Sequence, residues 1–104
     1  MTNDELCDAA LLELTAIERG TAGVKLVAGD PLIGDAQFRS SNGWTFVVFS
    51  DGGEWDYLHR VVAPSGEEVK VWPDAAKAGS ATLAALVNYR PPAGQSKTIW
   101  GFMD

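Results

Sequence analysis

The chain carries one cysteine, Cys7, and one histidine, His59, and this pair sets a low ceiling on covalent chemistry. A nucleophile needs a base within hydrogen-bond reach and a third group to orient that base. Cys7 and His59 offer one such pairing, but both positions read as facing a core. Cys7 falls within a helical apolar stripe, where a small buried thiol is expected rather than a reactive one. His59 is expected at the margin of the core, bonded to a backbone group or to a hydroxyl such as Thr45. One thiol rules out an internal disulfide framework and a thiolate zinc cage, and one imidazole rules out a multi-histidine site. The sequence has no G-x-S-x-G elbow, G-x-x-x-x-G-K-[ST] phosphate loop, G-x-G-x-x-G fingerprint or H-E-x-x-H pair. No catalytic residue, cofactor or metal ligand is expected, and the chain reads as a non-enzyme.

Two other constellations suit binding. Asp51-Gly52-Gly53-Glu54-Trp55-Asp56 is the densest acidic segment. Three carboxylates around two glycines suggest a hard cation such as calcium, but the alternating oxygen ligands of a calcium loop are missing. A solvated turn, or a contact with a basic partner, accounts for the segment better. The second constellation is aromatic. Trp44, Phe46 and Trp72 are expected on one sheet face with Arg39 and Arg60, and Trp and Arg dominate binding hot spots. Either the C-terminal segment covers that face as a second small core, or a partner does. The candidate partner-binding residues are therefore Asp51, Glu54, Asp56, Arg39, Trp44, Phe46, Arg60 and Trp72.

These side chains need a scaffold. Hydrophobic residues make up 46% of the 104 residues and charged residues 21%, enough apolar surface to offset ordering entropy and exclude a disordered chain. The length fits one domain over 1–104. Eight Lys plus Arg against 14 Asp plus Glu leave a net charge of −6, which repels phosphate backbones and argues against nucleic acid as a partner. No run approaches the ~20 apolar residues that cross a bilayer. Acidic Asp4-Glu5 is unlike the start of a secretory signal, so a cytoplasmic protein without a membrane partner is expected.

Thr2-Asn3-Asp4-Glu5 reads as a capping box, and Leu6, Ala10, Leu14 and Ile17 form a stripe at helical spacing. With Arg19 and Gly20 suited to a C-terminus, the pattern predicts a helix over 3–19, with Leu12 off its buried side. Val24 to Val27 predicts a short strand. From Ala36 to Trp72 the period changes to two, and turns at Asn42-Gly43, Ser50 to Glu54 and Ala63 to Gly66 divide four strands. A two-residue Asn42-Gly43 turn sets Phe38 opposite Val47. A five-residue loop at 50–54 sets Phe49 opposite Trp55, and a Pro64-Ser65-Gly66 connection sets Val61 opposite Val69. Ala36, Phe38, Val47, Phe49, Trp55, Tyr57, Val61, Val69 and Val71 then share a core face under the first helix. Trp44, Phe46, Val48 and Leu58 fall on the other. Pro73-Asp74 predicts a short helical turn, and Ser80 caps a second helix over 81–89 that Pro91-Pro92 must end. Residues 98–103 read as an edge strand or a tail packed on the face that carries Trp44, Phe46 and Trp72. The expected fold class is α+β, an antiparallel meander of four or five strands against an N-terminal helix, with a second, shorter helix after the sheet.

Residues 43–67 also carry a recognisable string: Gly43-Trp44-Thr45-Phe46-Val47-Val48-Phe49-Ser50-Asp51, then Glu54-Trp55-Asp56-Tyr57, then Pro64-Ser65-Gly66-Glu67. It resembles a group of short bacterial proteins, a domain of unknown function, with a Gly-Trp strand, a Phe-Asn-Asp loop, an Asp-Tyr pair and a Pro-Asp-Gly turn. Ser50 and Ser65 stand where the group has Asn and Asp. The resemblance implies a bacterial or phage context and carries over no functional residue. The function expected is non-enzymatic binding of another protein with a basic surface, as an inhibitor of the immunity, phage anti-defence or anti-CRISPR type. The alternative is a small-molecule-binding protein or small enzyme using the sheet face around His59 and Tyr57. A homodimer is compatible with either.

Overall fold

The first helix, α1 (Asn3–Glu18), starts and stops on local bonds. Thr2 Oγ1 accepts the Glu5 amide at 3.2 Å, and the Thr2 amide donates to Glu5 Oε1 at 3.0 Å. Two otherwise orphaned donors are thereby satisfied reciprocally, and the bond from the Thr2 backbone holds the Glu5 carboxyl below its ordinary value. At the other end the Gly20 and Thr21 amides donate to the Ile17 and Ala16 carbonyls, the bonding pattern of a Schellman cap.

The structure, a computed structural model, describes residues 2–71 and 81–103. Strands β1 (Val24–Gly29), β2 (Gly34–Ser40), β3 (Thr45–Asp51), β4 (Glu54–Val62) and β5 (Glu68–Lys70) form one antiparallel sheet in chain order. Helix α2 (Ala81–Val87) and the single turn α3 (Gln95–Thr98) follow. The fold is α+β, as the pattern predicts. The turn expected at Pro73-Asp74, the Ser80 cap and Trp72 lie outside the described residues.

Two of the three predicted registers differ. Asn42-Gly43 belongs to a three-residue loop: the Ser40 amide donates to the Trp44 carbonyl, and Gly43 takes φ +88, which a residue with a Cβ rarely adopts. The extra residue sets Phe38 opposite Phe46 and Ala36 opposite Val48. A slip of one reverses every side chain of a strand, so Phe46 and Val48 point into the core while Val47 and Phe49 point away. The next turn is shorter than expected, Gly52-Gly53 alone, with Asp51 opposite Glu54. The register then shifts twice. Phe49 pairs with Tyr57 but Ser50 with Trp55, and Val47 pairs with Arg60 but Val48 with Leu58, leaving Asp56 and His59 as extra residues in bulges. Buried residues in β4 consequently recur every third position, at Trp55, Leu58 and Val61. The β4–β5 register is the predicted one, with Val61 opposite Val69.

One core results, on one face. It joins Leu6, Cys7, Ala10, Leu14 and Ile17 of α1 to Phe38, Phe46, Val48, Leu58 and Val61 of the sheet, to Leu83 and Leu86 of α2, and to Trp100 and Phe102. The C-terminal segment is not an edge strand. It packs on the face holding Trp44, Phe46 and Leu58, which is the core itself and not a second one. Trp100 lies 5.1 Å from Phe38, 6.0 Å from Phe46 and 5.0 Å from Trp55, edge-on in each case, the favoured arrangement for ring quadrupoles. Polar bonds tie the layers. The buried Glu13 accepts from Asn42 Nδ2 at 2.9 Å, Thr82 Oγ1 donates to Asp4 Oδ1 at 2.8 Å, and Tyr89 Oη donates to Glu18 Oε2 at 2.9 Å.

Trp100→Ala should therefore cost about 3–5 kcal/mol, whereas Phe49→Ala, on the other face, should cost less than half as much; chemical denaturation of the two variants checks the order. A second prediction concerns alkaline pH. Burial, then the bond to Glu18 and its charge, raise the Tyr89 hydroxyl well above its ordinary value. The folded state thus holds this proton more tightly than the unfolded chain, whose tyrosines titrate near ~10. Stability from this source is complete below that pH and is lost as pH rises above it. Thermal melts should show wild type losing stability above pH ~10 more steeply than Tyr89→Phe.

Candidate functional site

On the side of the sheet away from the core, the register sets side chains in rows. One row is Lys25, Arg39, Thr45, Val62 and Glu68; the next is Gln37, Val47, Arg60 and Lys70; a third is Asp35, Phe49 and Tyr57. All but Val47 are exposed or half-exposed. The Phe49 and Tyr57 rings stack at 5.1 Å with 16° between planes, and His59 stands edge-on to Tyr57 at 6.4 Å. His59 Nδ1 lies 3.3 Å from Asp35 Oδ2. That nitrogen is shielded from solvent and makes no aligned hydrogen bond, so the contact is with the Asp35 charge. The bulge turns His59 onto this face, which corrects its expected place at the core margin beside Thr45. The Tyr57 hydroxyl is raised above its ordinary value by partial burial, then by the charges of Asp35 and Asp56.

An imidazole beside a carboxylate is two-thirds of a nucleophilic triad, but the thiol is elsewhere. Cys7 is fully buried in the core across the sheet, and burial, with Asp4 and Asp8 adding, pushes the thiol up and keeps it protonated. Among the described residues, no three His, Cys, Asp or Glu side chains gather closely enough to hold a metal ion.

The end of the sheet where the β1–β2 and β3–β4 turns meet is unlike the rest. Leu32, Ile33 and Met103 are 52%, 75% and 60% exposed. Two of them share one support: a Cβ built on Gly53 would lie 2.5 Å from Met103 Sδ and 3.5 Å from Leu32 Cδ2. Exposed Asp30, Asp51 and Glu54 belong to the same two turns. The turns are held in place. The Leu32 amide donates to Asp30 Oδ1 at 2.9 Å, Ser50 Oγ donates to the Pro31 carbonyl at 2.6 Å, and the Met103 amide donates to the Gly53 carbonyl at 2.7 Å. Scattered exposed apolar side chains are ordinary; here Leu32 and Met103 meet over Gly53 on a fixed backbone.

The residues singled out from sequence are thus divided among three places. Asp51 and Glu54 stand opposite each other at this tip, and Asp56 sits half-buried in its bulge. Arg39 and Arg60 lie on the open face, Arg60 bridged to Glu68 at 3.5 Å. Trp44 and Phe46 are in the core, stacked at 6.4 Å, so they are not offered to a partner. Sequence reasoning missed Leu32, Ile33 and Met103. The signal was present, since two adjacent aliphatics between Pro31 and Gly34 are unusual where turn chemistry favours polar residues. No protein-family model, no curated protein and no solved structure matches this chain.

Gly53 takes φ +89, so Gly53→Ala should strain the turn and displace Met103, at a cost of about 1–2 kcal/mol. Thermal melting together with the NMR shift of the Met103 methyl reads both effects.

Proposed function

We propose that the chain is a non-enzymatic module that binds another protein through the tip formed by Leu32, Ile33 and Met103. The observation that carries this reading is the exposure of those three apolar residues beside Asp30, Asp51 and Glu54 on turns held by side-chain and backbone bonds. An apolar centre with a carboxylate rim suits a basic protein surface that presents its own apolar patch. Pre-formed turns spare the ordering entropy that a flexible loop would lose on binding. An excess of carboxylates adds long-range attraction for such a partner. Blocking a basic working surface is how a small acidic protein acts as an inhibitor of the immunity or anti-defence type, and the likeness of residues 43–67 to a bacterial group implies only a bacterial or phage context. The second reading, a small-molecule site around His59 and Tyr57, rests on the Asp35–His59 contact at 3.3 Å.

Affinity capture with wild type and two variant sets tests the first reading. Asp30→Asn/Asp51→Asn/Glu54→Gln should slow association with the captured partner about tenfold at low salt and flatten its salt dependence. Ile33→Ala and Met103→Ala should instead speed dissociation, by about 2 kcal/mol in affinity for an anchor. Melting temperatures should stay within a few degrees of wild type. A partner held equally by both variant sets would overturn the assignment, and one lost only in His59→Ala would favour the second reading.

A further inference from the structure

The loop between β2 and β3 holds an Asn-Gly dipeptide, and the fold fixes each of its residues for a separate reason. Gly43 takes φ +88, a conformation that suits glycine. Asn42 supplies the amide that donates to Glu13 Oε1 at 2.9 Å. Glu13 is only 7% exposed, and its other oxygen, Oε2, is buried without a hydrogen-bond partner among the described residues. A buried carboxylate with a single bond depends heavily on that donor. Here the donor is a side chain of an exposed loop residue.

Asn-Gly is also a dipeptide prone to internal attack, because glycine has no Cβ to keep its nitrogen from the asparagine Cγ. In that reaction the N–Cγ bond forms, the glycine nitrogen gives its proton to water, and Cγ–Nδ2 breaks with release of ammonia. Water then opens the cyclic imide at either carbonyl, leaving an aspartyl or an isoaspartyl residue, and nothing is oxidised or reduced. In the folded loop both reacting groups are engaged. The Gly43 amide donates to the Ser40 carbonyl at 3.0 Å, and Glu13 holds the Asn42 amide. Attack needs the Gly43 amide released and the Asn42 side chain free to turn onto it. The product then removes what α1 relies on. An acceptor replaces the one donor that the described residues give the Glu13 side chain, and two carboxylates meet where water is scarce. The isoaspartyl form also adds a methylene to the loop backbone.

We propose that Asn42 is a site of spontaneous deamidation gated by its bond to Glu13, and that the modified loop is released from α1. The assignment is independent of the tip described above. Incubation of the full-length protein in mildly alkaline buffer, beside a free peptide spanning 40–45, tests it, with peptide mass spectrometry reading the mass gain at position 42. Wild type should react about tenfold more slowly than the peptide, and Glu13→Ala should recover most of that difference, the loss of one buried hydrogen bond. Glu13→Gln keeps an acceptor and should stay close to wild type. Phe102 packs on Phe38 and Trp55, so Phe102→Leu should lower the melting temperature without changing the rate, which separates release of the loop from general loosening. Asn42→Asp reproduces the aspartyl product and should melt about 5–10 °C below wild type. In a Glu13→Gln background, where the new amide can donate to the carboxylate, the same substitution should cost far less. Equal rates in wild type and Glu13→Ala would overturn the gate, and no mass gain at position 42 in either would overturn the site. An Asn42→Asp protein as stable as wild type would overturn the release of the loop.

Discussion

Strand β4 must satisfy two neighbours with different demands, and its bulges at Asp56 and His59 are how it does so. A regular strand buries every second residue; β4 buries every third. The bulges bring Trp55, Leu58 and Val61 to the covered face while the ladder to β3 continues. They also leave Asp56, Tyr57, His59 and Arg60 half-exposed, so a strand that feeds the core also supplies polar side chains to the opposite face. Remove either extra residue and Leu58 or Trp55 changes sides. The aromatic cluster around Trp100, the Asp35–His59 contact and the stacked Phe49–Tyr57 pair all follow from these two insertions.

Charge is also unevenly placed. Lys25, Arg39, Arg60 and Lys70 are half of the chain's eight cations, and all belong to rows of the open face. The turns at one end of the sheet instead expose Asp30, Asp51 and Glu54. A net charge of −6 therefore conceals an uneven surface, on which most of the described cations share the open face with Asp35 and Glu68 while the turns at one end are purely acidic.

Much of the fold was legible because its signals are local. The capping box, the stripe from Leu6 to Ile17 and the turn at Pro64-Ser65-Gly66 each involve residues within a few positions of one another, and each is found where the pattern places it. The sheet faces were less legible. Asn42-Gly43 suits a two-residue turn, yet Asn42 is drawn into a longer loop where its side chain donates to Glu13 of α1, a demand from a distant helix that no local pattern encodes. Bulges are equally silent in sequence, since Asp56 and His59 look like ordinary strand residues. Because parity decides which face a side chain occupies, one unseen residue was enough to exchange Phe46 with Val47 and Phe49 with Val48. The same exchange moved the candidate site from Trp44 and Phe46 to residues of the turns.

The position of Trp100 has a consequence in time as well as space. Its ring contacts reach back across more than half the chain to Phe38, whereas the hairpins of the meander join neighbouring segments. The sheet can assemble from short-range pairings while its apolar face still lacks the rings that complete it. On any path in which Trp100 and Phe102 dock last, that face spends the interval bare to water, the kind of surface on which chains in a crowded solution stick to each other. On such a path the docking of Trp100 and Phe102 sets how long that face stays open, a quantity separate from how stable the finished molecule is.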